Sequence, residues 1–140
     1  MNLQRQTRLA LYAVLELAEQ PDRQISGAEI AEKFGVSGNH LAKVMRDLGK
    51  AGLVEAVRGA GGGYWFCGNP KRTTLLDVIE IFEPFAFDTA RQREPGRNTD
   101  IGRALDLVLD EINQTIHATL NSISIKTMLQ IRNRPELTSS

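Results

Sequence analysis

The sequence predicts a mainly α-helical fold with one small β-hairpin. Three observations carry this expectation. Two short amphipathic segments flank Gly35-Val36-Ser37, a tight break between helices. Four glycines fall within residues 59–63, between two apolar, strand-like runs. Further along, Ile101, Leu105, Val108, Ile112, Ile116 and Leu120 recur every three or four residues, a near-coiled-coil stripe.

Composition sets the bounds. A chain of 140 residues fits one domain, or one domain with an appended helix. At 41% hydrophobic residues it can build a core. Seventeen basic side chains balance seventeen acidic ones, so any nucleic-acid binding must come from a local cluster of positive charge. The one cysteine, Cys67, cannot form an internal disulfide, which suits a reducing cytosol. No apolar run reaches membrane-spanning length, and no uninterrupted apolar region follows Arg5 and Arg8. A soluble, cytoplasmic protein without a membrane partner is expected.

The elements follow in order. Residues 4–19 read as a buried first helix, dense in Leu9, Leu11, Tyr12, Val14, Leu15 and Leu17. Pro21-Asp22-Arg23 is the break. Ser26 stands as an N-cap with Glu29 three residues on, the capping-box spacing, and Ala28, Ile30, Ala31 and Phe34 face inward over a short second helix. Gly35 ends it. Ser37 caps a third helix, whose Leu41, Val44, Met45 and Leu48 fall at i, i+3, i+4 and i+7. Gly52 stops that helix, and residues 53–57 and 63–67 pair as the hairpin. Thr73 or Thr74 caps a helix through Leu75, Leu76, Val78, Ile79, Ile81 and Phe82. Residues 83–97 lack periodicity and hold Pro84, Pro95 and Gly96, so they read as a loop. Asp100 starts the long helix, a short amphipathic segment covers 123–131, and the chain frays from Pro135. The expected division is a DNA-binding domain at 1–82, a loop at 83–99, and a dimerisation helix with C-terminal segment at 100–134.

The second and third helices match the helix-turn-helix layout, in which the N-terminal part of the later helix enters the major groove. Ser37, Asn39 and His40 lie there. Asparagine can bond an adenine edge in a bidentate way, and serine and histidine reach bases or phosphates. Lys43, Arg46 and Lys50 lie further along the polar side, suited to phosphate. Any one of these is an ordinary solvated residue; the set, followed by a glycine-rich wing, reads as a winged helix-turn-helix that binds double-stranded DNA. Arg58, at the base of the wing, can enter a narrow minor groove, where the negative potential is deepest. Four glycines exceed what a turn needs, so Gly61 and Gly62 read as places where the backbone approaches DNA. Tyr64, Trp65 and Phe66 read as wing core.

Other chemistry is weaker. A mononucleotide loop would need Lys-Ser or Lys-Thr opening a helix after the glycines; a strand follows instead. Cys67 is either a small buried strand residue, the favoured reading, or a redox-sensing thiol. The only histidines, His40 and His117, sit in separate helices, so no thiolate- or histidine-rich metal site assembles within a protomer. Asp106, Asp110 and Glu111 read as a solvated helix face. No nucleophile–base pairing recommends an enzyme. The stripe Ile101, Leu105, Val108, Ile112 and Ile116 reads as a dimerisation face.

In their order, Thr7-Arg8-Leu9-Ala10-Leu11, Val36-Ser37, Gly52-Leu53-Val54, the run from Arg58 to Tyr64, and Leu75-Leu76-Asp77-Val78-Ile79 resemble the Rrf-two family of bacterial regulators over residues 1–129. The resemblance implies a winged helix-turn-helix homodimer whose long helices cross and whose wings reach the minor groove of a palindromic site. It places base and phosphate contacts at Ser37, Asn39, His40 and Arg58. A position that carries a sequence-discriminating glutamate in one branch is Ala42 here. Cluster-binding members carry three cysteines in the loop before the long helix, some with a histidine or an N-terminal carboxylate. Here residues 83–103 hold no cysteine, the histidine position falls at about Asp106, and the carboxylate position holds Arg8. The resemblance therefore implies a cluster-free branch with no cofactor.

The expected function is a homodimeric transcription regulator, a repressor that occupies promoters. Three controls are open: a small molecule near Phe82, Phe85, Phe87 and Trp65, a protein partner, or oxidation of Cys67. The alternative from another class is a protein-interaction adaptor that kept the fold and lost DNA binding; the intact Ser37, Asn39 and Arg58 argue against it.

Overall fold

The computed structural model describes residues 2–84 and 94–138. Helix α1 (Arg5–Glu19) buries Leu9, Ala10, Ala13, Val14, Leu17 and Ala18, a stripe repeating every four residues. The expected all-buried run is narrower than the sequence implied: Leu11 and Leu15 are half-buried and Tyr12 is exposed. Gln4 gives α1 no side-chain cap. Glu83 does so instead. Its Oε2 accepts from the Gln4 backbone N–H at 3.0 Å and from the hydroxyl of the fully buried Thr7 at 2.5 Å. A carboxylate beside a helix N-terminus is favourable both as an acceptor and as a charge.

Helices α2 (Gly27–Phe34) and α3 (Gly38–Lys50) meet at the turn 35–37. Gly35 closes α2 in the left-handed region at φ 67°, where a side chain would be strained. The next N–H, that of Val36, then reaches back to the Ala31 carbonyl at 3.0 Å, the bond of a Schellman turn. Ser26 caps α2 through the Glu29 N–H at 3.1 Å. The expected capping box is only half formed, because the Glu29 carboxylate takes Arg23 at 2.8 Å instead of the cap backbone. Ala28 faces solvent, correcting its inward placement, and Ile25, one residue before the cap, fills the core.

Strands β1 (Val54–Val57) and β2 (Gly63–Phe66) form the antiparallel hairpin, with Val54 opposite Phe66 and Val57 opposite Gly63. Each is one residue shorter than expected. The hairpin is pinned to the body by a bridge: Ile25 and Tyr64 exchange backbone hydrogen bonds of 2.9 and 2.8 Å. Phe66 is buried, as strand alternation required, while Tyr64 and Trp65 are half-buried.

Helix α4 (Leu75–Phe82) carries a complete capping box between Thr74 and Asp77. Helix α5 (Asp100–Ser122) is capped by Thr99, and α6 (Ile125–Arg132) by Ser124. Residues Pro135–Thr138, expected to fray, form a four-residue helix, α7. The segment after α5 does not leave with the long helix. Ile125 is fully buried in the core that joins α1, α2, α3 and the hairpin, and the Leu75 N–H bonds Ile123 while the Ile125 N–H bonds Thr73. A smaller cluster of Leu76, Ile79 and Leu120 fastens the end of α5 to α4, with Ile116 packed against it.

Candidate nucleic-acid interface

Helix α3 buries Leu41, Val44, Met45 and Leu48 on one side. That periodicity turns Asn39, Lys43, Arg46 and Lys50 outward, and all four are exposed. The Ser37 Oγ accepts from the His40 N–H at 3.1 Å, so the cap uses its acceptor lone pair and leaves the O–H to donate outward. His40 is half-buried beside the turn. Ala42 is exposed on the same outward side.

The hairpin brings its own cation to this surface. Arg46 of α3 and Arg58 of the wing line opposite walls of one groove, with Ala42, Ala56 and Tyr64 between them. Of the expected set, Arg46 and Arg58 meet at this groove, while Ser37, Asn39, His40 and Lys43 lie earlier along α3 and do not line it.

The glycines have a different explanation from the one expected. Gly59 and Gly61 lie at φ 99° and 76°, and the Gly62 N–H closes the turn on the Gly59 carbonyl at 3.0 Å. A Cβ on Gly62 would sit 2.2 Å from the Val57 carbonyl oxygen, and one on Gly63 would sit 2.5 Å from that of Ile25. All four positions are therefore accounted for by the hairpin and its bridge to Ile25. Their number no longer argues by itself for approach to DNA at Gly61 and Gly62.

Charge pairing is uneven over the molecule. Arg23 pairs with Glu29, Lys33 with Glu16, Arg97 with Asp106, Arg103 with Asp100 and Arg132 with Glu19. No described ion pair uses Lys43, Arg46, Lys50 or Arg58, nor Arg5 and Arg8 at the start of α1. Described cations outside these pairs thus include four on α3 and the wing and two at the start of α1, with Lys71, Arg72 and Lys126 in a second group at the 69–73 turn and α6. Residue order alone does not reveal this, because which acid meets which base is a tertiary fact.

Along α5, the expected dimer stripe is largely bare. Ile101 is 83% exposed, Leu105 57%, Val108 52% and Ile112 51%. Ile116 differs: it is half-buried against α4 and partly used within the protomer. Leu107 and Leu109 are also exposed, so the apolar surface is wider than the stripe.

Residues 3–131 match the Rrf2 family, described as an iron-dependent transcriptional regulator. The chain belongs to this family. It is similar to BadM of Rhodopseudomonas palustris, a proposed HTH-type transcriptional regulator, with 50% identity over 131 residues, 94% of this chain and 83% of the relative. Its fold is similar to that of T. potens IscR, with a TM-score of 0.77 at 24% identity over 100% of this chain and 93% of that one. It is equally similar to CymR, the global cysteine regulator of B. subtilis, with a TM-score of 0.78 at 23% identity over 94% of this chain and 98% of that one. At these identities the two structures establish the winged helix-turn-helix fold. The chain is a transcriptional regulator of the DNA-binding kind.

The family description raises the question of iron, and the donors present do not fit a thiolate-held cluster. The one thiol, Cys67, lies at the base of the wing and donates to the Gly52 carbonyl at 3.2 Å. Burial, and then the Glu55 carboxylate, push its pKa up, opposite to what a thiolate ligand needs. Asp106, at the family's histidine position, is held by the Arg97 guanidinium at 2.8 Å. Among the described residues, no three histidine, cysteine or carboxylate side chains converge as a metal site. Of the aromatic residues expected around a small molecule, Phe85 and Phe87 lie outside the described residues. Phe82 is half-buried on the main core, and Trp65 is half-buried in β2.

Proposed function

We propose that this Rrf2 regulator acts as a homodimer on palindromic promoter DNA, represses by occupying the promoter, and uses a signal other than an iron–sulfur cluster. One observation supports the DNA-contact assignment: Arg46 of α3 and Arg58 of the wing, neither in a described ion pair, line one groove. Ser37, Asn39 and His40 read bases or the phosphates beside them. Lys43 and Arg46 meet phosphate, and Arg58 enters the minor groove. Gly61 and Gly62 let the wing tip lie close to the backbone in addition to their role in the turn. Dimerisation runs through Ile101, Leu105, Val108 and Ile112, with Ile116 at the edge.

The test is a titration of wild-type and variant protein against a selected duplex and its scrambled version at two salt concentrations. Asn39→Ala costs about 1–3 kcal/mol on the selected duplex with little change on scrambled DNA. Lys43→Ala weakens binding on both and lowers the salt slope by roughly one ion. Arg58→Ala weakens binding most where the minor groove is narrow. If wild-type protein shows no preference for any duplex and Arg58→Ala binds as wild type does, the chain is an interaction adaptor.

The control by thiol oxidation is the least supported. A thiol with a raised pKa, donating to a backbone carbonyl, presents little thiolate to an oxidant.

A further inference from the structure

A second groove lies at the other end of the recognition helix, between α1 and the helix-turn-helix. Its volume is about 510 Å³, within the range that holds a small organic molecule. Arg5, Arg8, Leu9 and Tyr12, at i, i+3, i+4 and i+7, line it from one face of α1, and Phe34, Val36, Ser37 and His40 line it from the turn side. Its apolar part joins the two: Tyr12 and Phe34 stack with ring centroids 5.0 Å apart, beside Leu9 and Val36. Tyr12 is 41% exposed, a large ring left partly in water. Its cationic part is Arg5 and Arg8, neither of which has a described carboxylate partner. No acidic side chain lines the groove. The floor runs through Gly35 to Ser37 and His40, the turn and the cap that set the angle of α3.

We propose that this groove is the regulator's effector site and that it takes an organic anion: a carboxylate or phosphate head on an apolar body. Two unpaired guanidiniums supply forked donors for the head. The stacked ring pair and its apolar flank supply the surface for the body. A nucleic-acid backbone uses only the two guanidiniums and gains nothing from the apolar lining beside them, so the full lining fits a small amphipathic anion better than a phosphate chain. The groove shares Ser37 and His40 with the DNA-contacting end of α3. An occupant lodged between α1 and the turn therefore displaces those two residues and cancels the local positive charge, and DNA affinity falls. The regulatory half of this assignment rests on the DNA-binding reading above; the binding half does not.

The experiment has two arms, each on the full chain. In the first, without DNA, phenyl phosphate and inorganic phosphate are titrated while the NMR signals of Tyr12, Phe34 and His40 are followed. Phenyl phosphate is expected to move these signals saturably and to bind at least tenfold more tightly than inorganic phosphate. The double variant Arg5→Gln/Arg8→Gln, with both side chains exposed in the wild type, is expected to lose at least tenfold of that affinity while keeping its thermal transition. Equal affinity for both phosphates, no movement of the three signals, or wild-type affinity in the double variant overturns the site. In the second arm, saturating phenyl phosphate is expected to weaken binding to the selected duplex at least tenfold in the wild type, at matched ionic strength. A ligand that binds and leaves DNA affinity unchanged overturns the regulatory half. A double variant that loses DNA affinity without ligand, while wild-type protein ignores phenyl phosphate, shows that Arg5 and Arg8 contact the DNA backbone and overturns the proposal. A wild-type chain that binds phenyl phosphate in the first arm and no duplex at all sinks the DNA-binding reading and leaves the site standing.

Discussion

Replacing Leu105 by alanine should weaken self-association without weakening the fold. The side chain is 57% exposed in the protomer, so a little over half of its surface is still to be buried by a partner. Leucine carries three more carbons than alanine, worth about 2.4 kcal/mol on full burial at ~0.8 kcal/mol per carbon. Slightly more than half of that, about 1.3 kcal/mol, is at stake when a second copy covers the position. A two-fold dimer uses each residue twice, so the loss is about 2–3 kcal/mol, or roughly 30- to 150-fold in the dissociation constant. The fold should hardly notice, because the same exposure shows that the side chain contributes little to the protomer's own core. Sedimentation equilibrium over a hundredfold concentration range measures the constant, and thermal unfolding at a concentration where both proteins are monomeric measures the fold. A wild-type chain that stays monomeric at micromolar concentration refutes the dimer assignment. A Leu105→Ala chain with the wild-type constant refutes the role of this face, and leaves the dimer, if there is one, to the wider apolar surface around Leu107 and Leu109.

Other consequences can be checked separately. Gly63→Ala should destabilise the protein by about 2–3 kcal/mol, since its Cβ cannot coexist with the Ile25 carbonyl and the two bridge hydrogen bonds would be lost. Gly61→Ala, which meets open space at φ 76°, should cost only the left-handed strain of about 1–2 kcal/mol; equal shifts in chemical denaturation would contradict this account of the wing. Alkylation of Cys67 by iodoacetamide at pH 8 should run slower than that of a free thiol, because burial and the Glu55 charge keep it protonated; Glu55→Gln should lower the pKa and speed the reaction, and an unchanged rate would remove Glu55 as a cause. Protein purified without oxygen should be colourless and carry no stoichiometric iron and sulfide, and a visible absorption band with both present would show that non-cysteine donors suffice.

Local signals made most of the fold legible. The caps at Ser26, Ser37 and Thr74, the Gly35 stop and the i, i+3, i+4 spacing of α3 depend only on neighbours in sequence, and each stands where its spacing placed it. The misses that reshape the core are long-range. Glu83 looked like loop, yet it caps α1 across 79 residues. Ile25 carried no expectation, yet it pairs with the wing and fills the core. Ile125 belonged to the segment grouped with the dimerisation helix at 100–134, and it is buried with α1. The wing glycines were read as an excess because a turn needs few of them. Two of the four instead answer to close backbone neighbours, one of them in the Ile25 segment far outside the hairpin. The candidate site behaved likewise. Its residues could be named from α3 and the wing, but the groove that unites Arg46 with Arg58 could not.

The zero net charge is the clearest case of a sequence number that misleads until pairing is known. As a sum, it argues against a polyanionic partner. In the folded chain, five described Lys or Arg side chains meet a carboxylate directly, around α1, α2 and α5, through pairs such as Lys33–Glu16 and Arg97–Asp106. An exposed pair of this kind contributes only about 0–1 kcal/mol, so stability hardly explains the arrangement. Its electrostatic consequence is larger. A neutralised pair projects almost no field beyond the roughly 8–10 Å screening length of physiological salt, whereas an unpaired lysine or arginine does. What an approaching helix of DNA meets is therefore not the sum over the chain but the local remainder after pairing, and on this face that remainder includes Lys43, Arg46, Lys50 and Arg58, of which Arg46 and Arg58 line one groove. Adding a carboxylate there, as in Ala42→Glu, returns the glutamate of another family branch and also offers Arg46 a partner four residues on. Binding to scrambled DNA should then fall as the free charge is consumed, separately from any change in base preference. The same glutamate at Ala28, exposed on α2 away from that groove, should leave scrambled-DNA affinity nearly unchanged; equal losses from the two substitutions would mean that total charge, and not its pairing, governs the encounter.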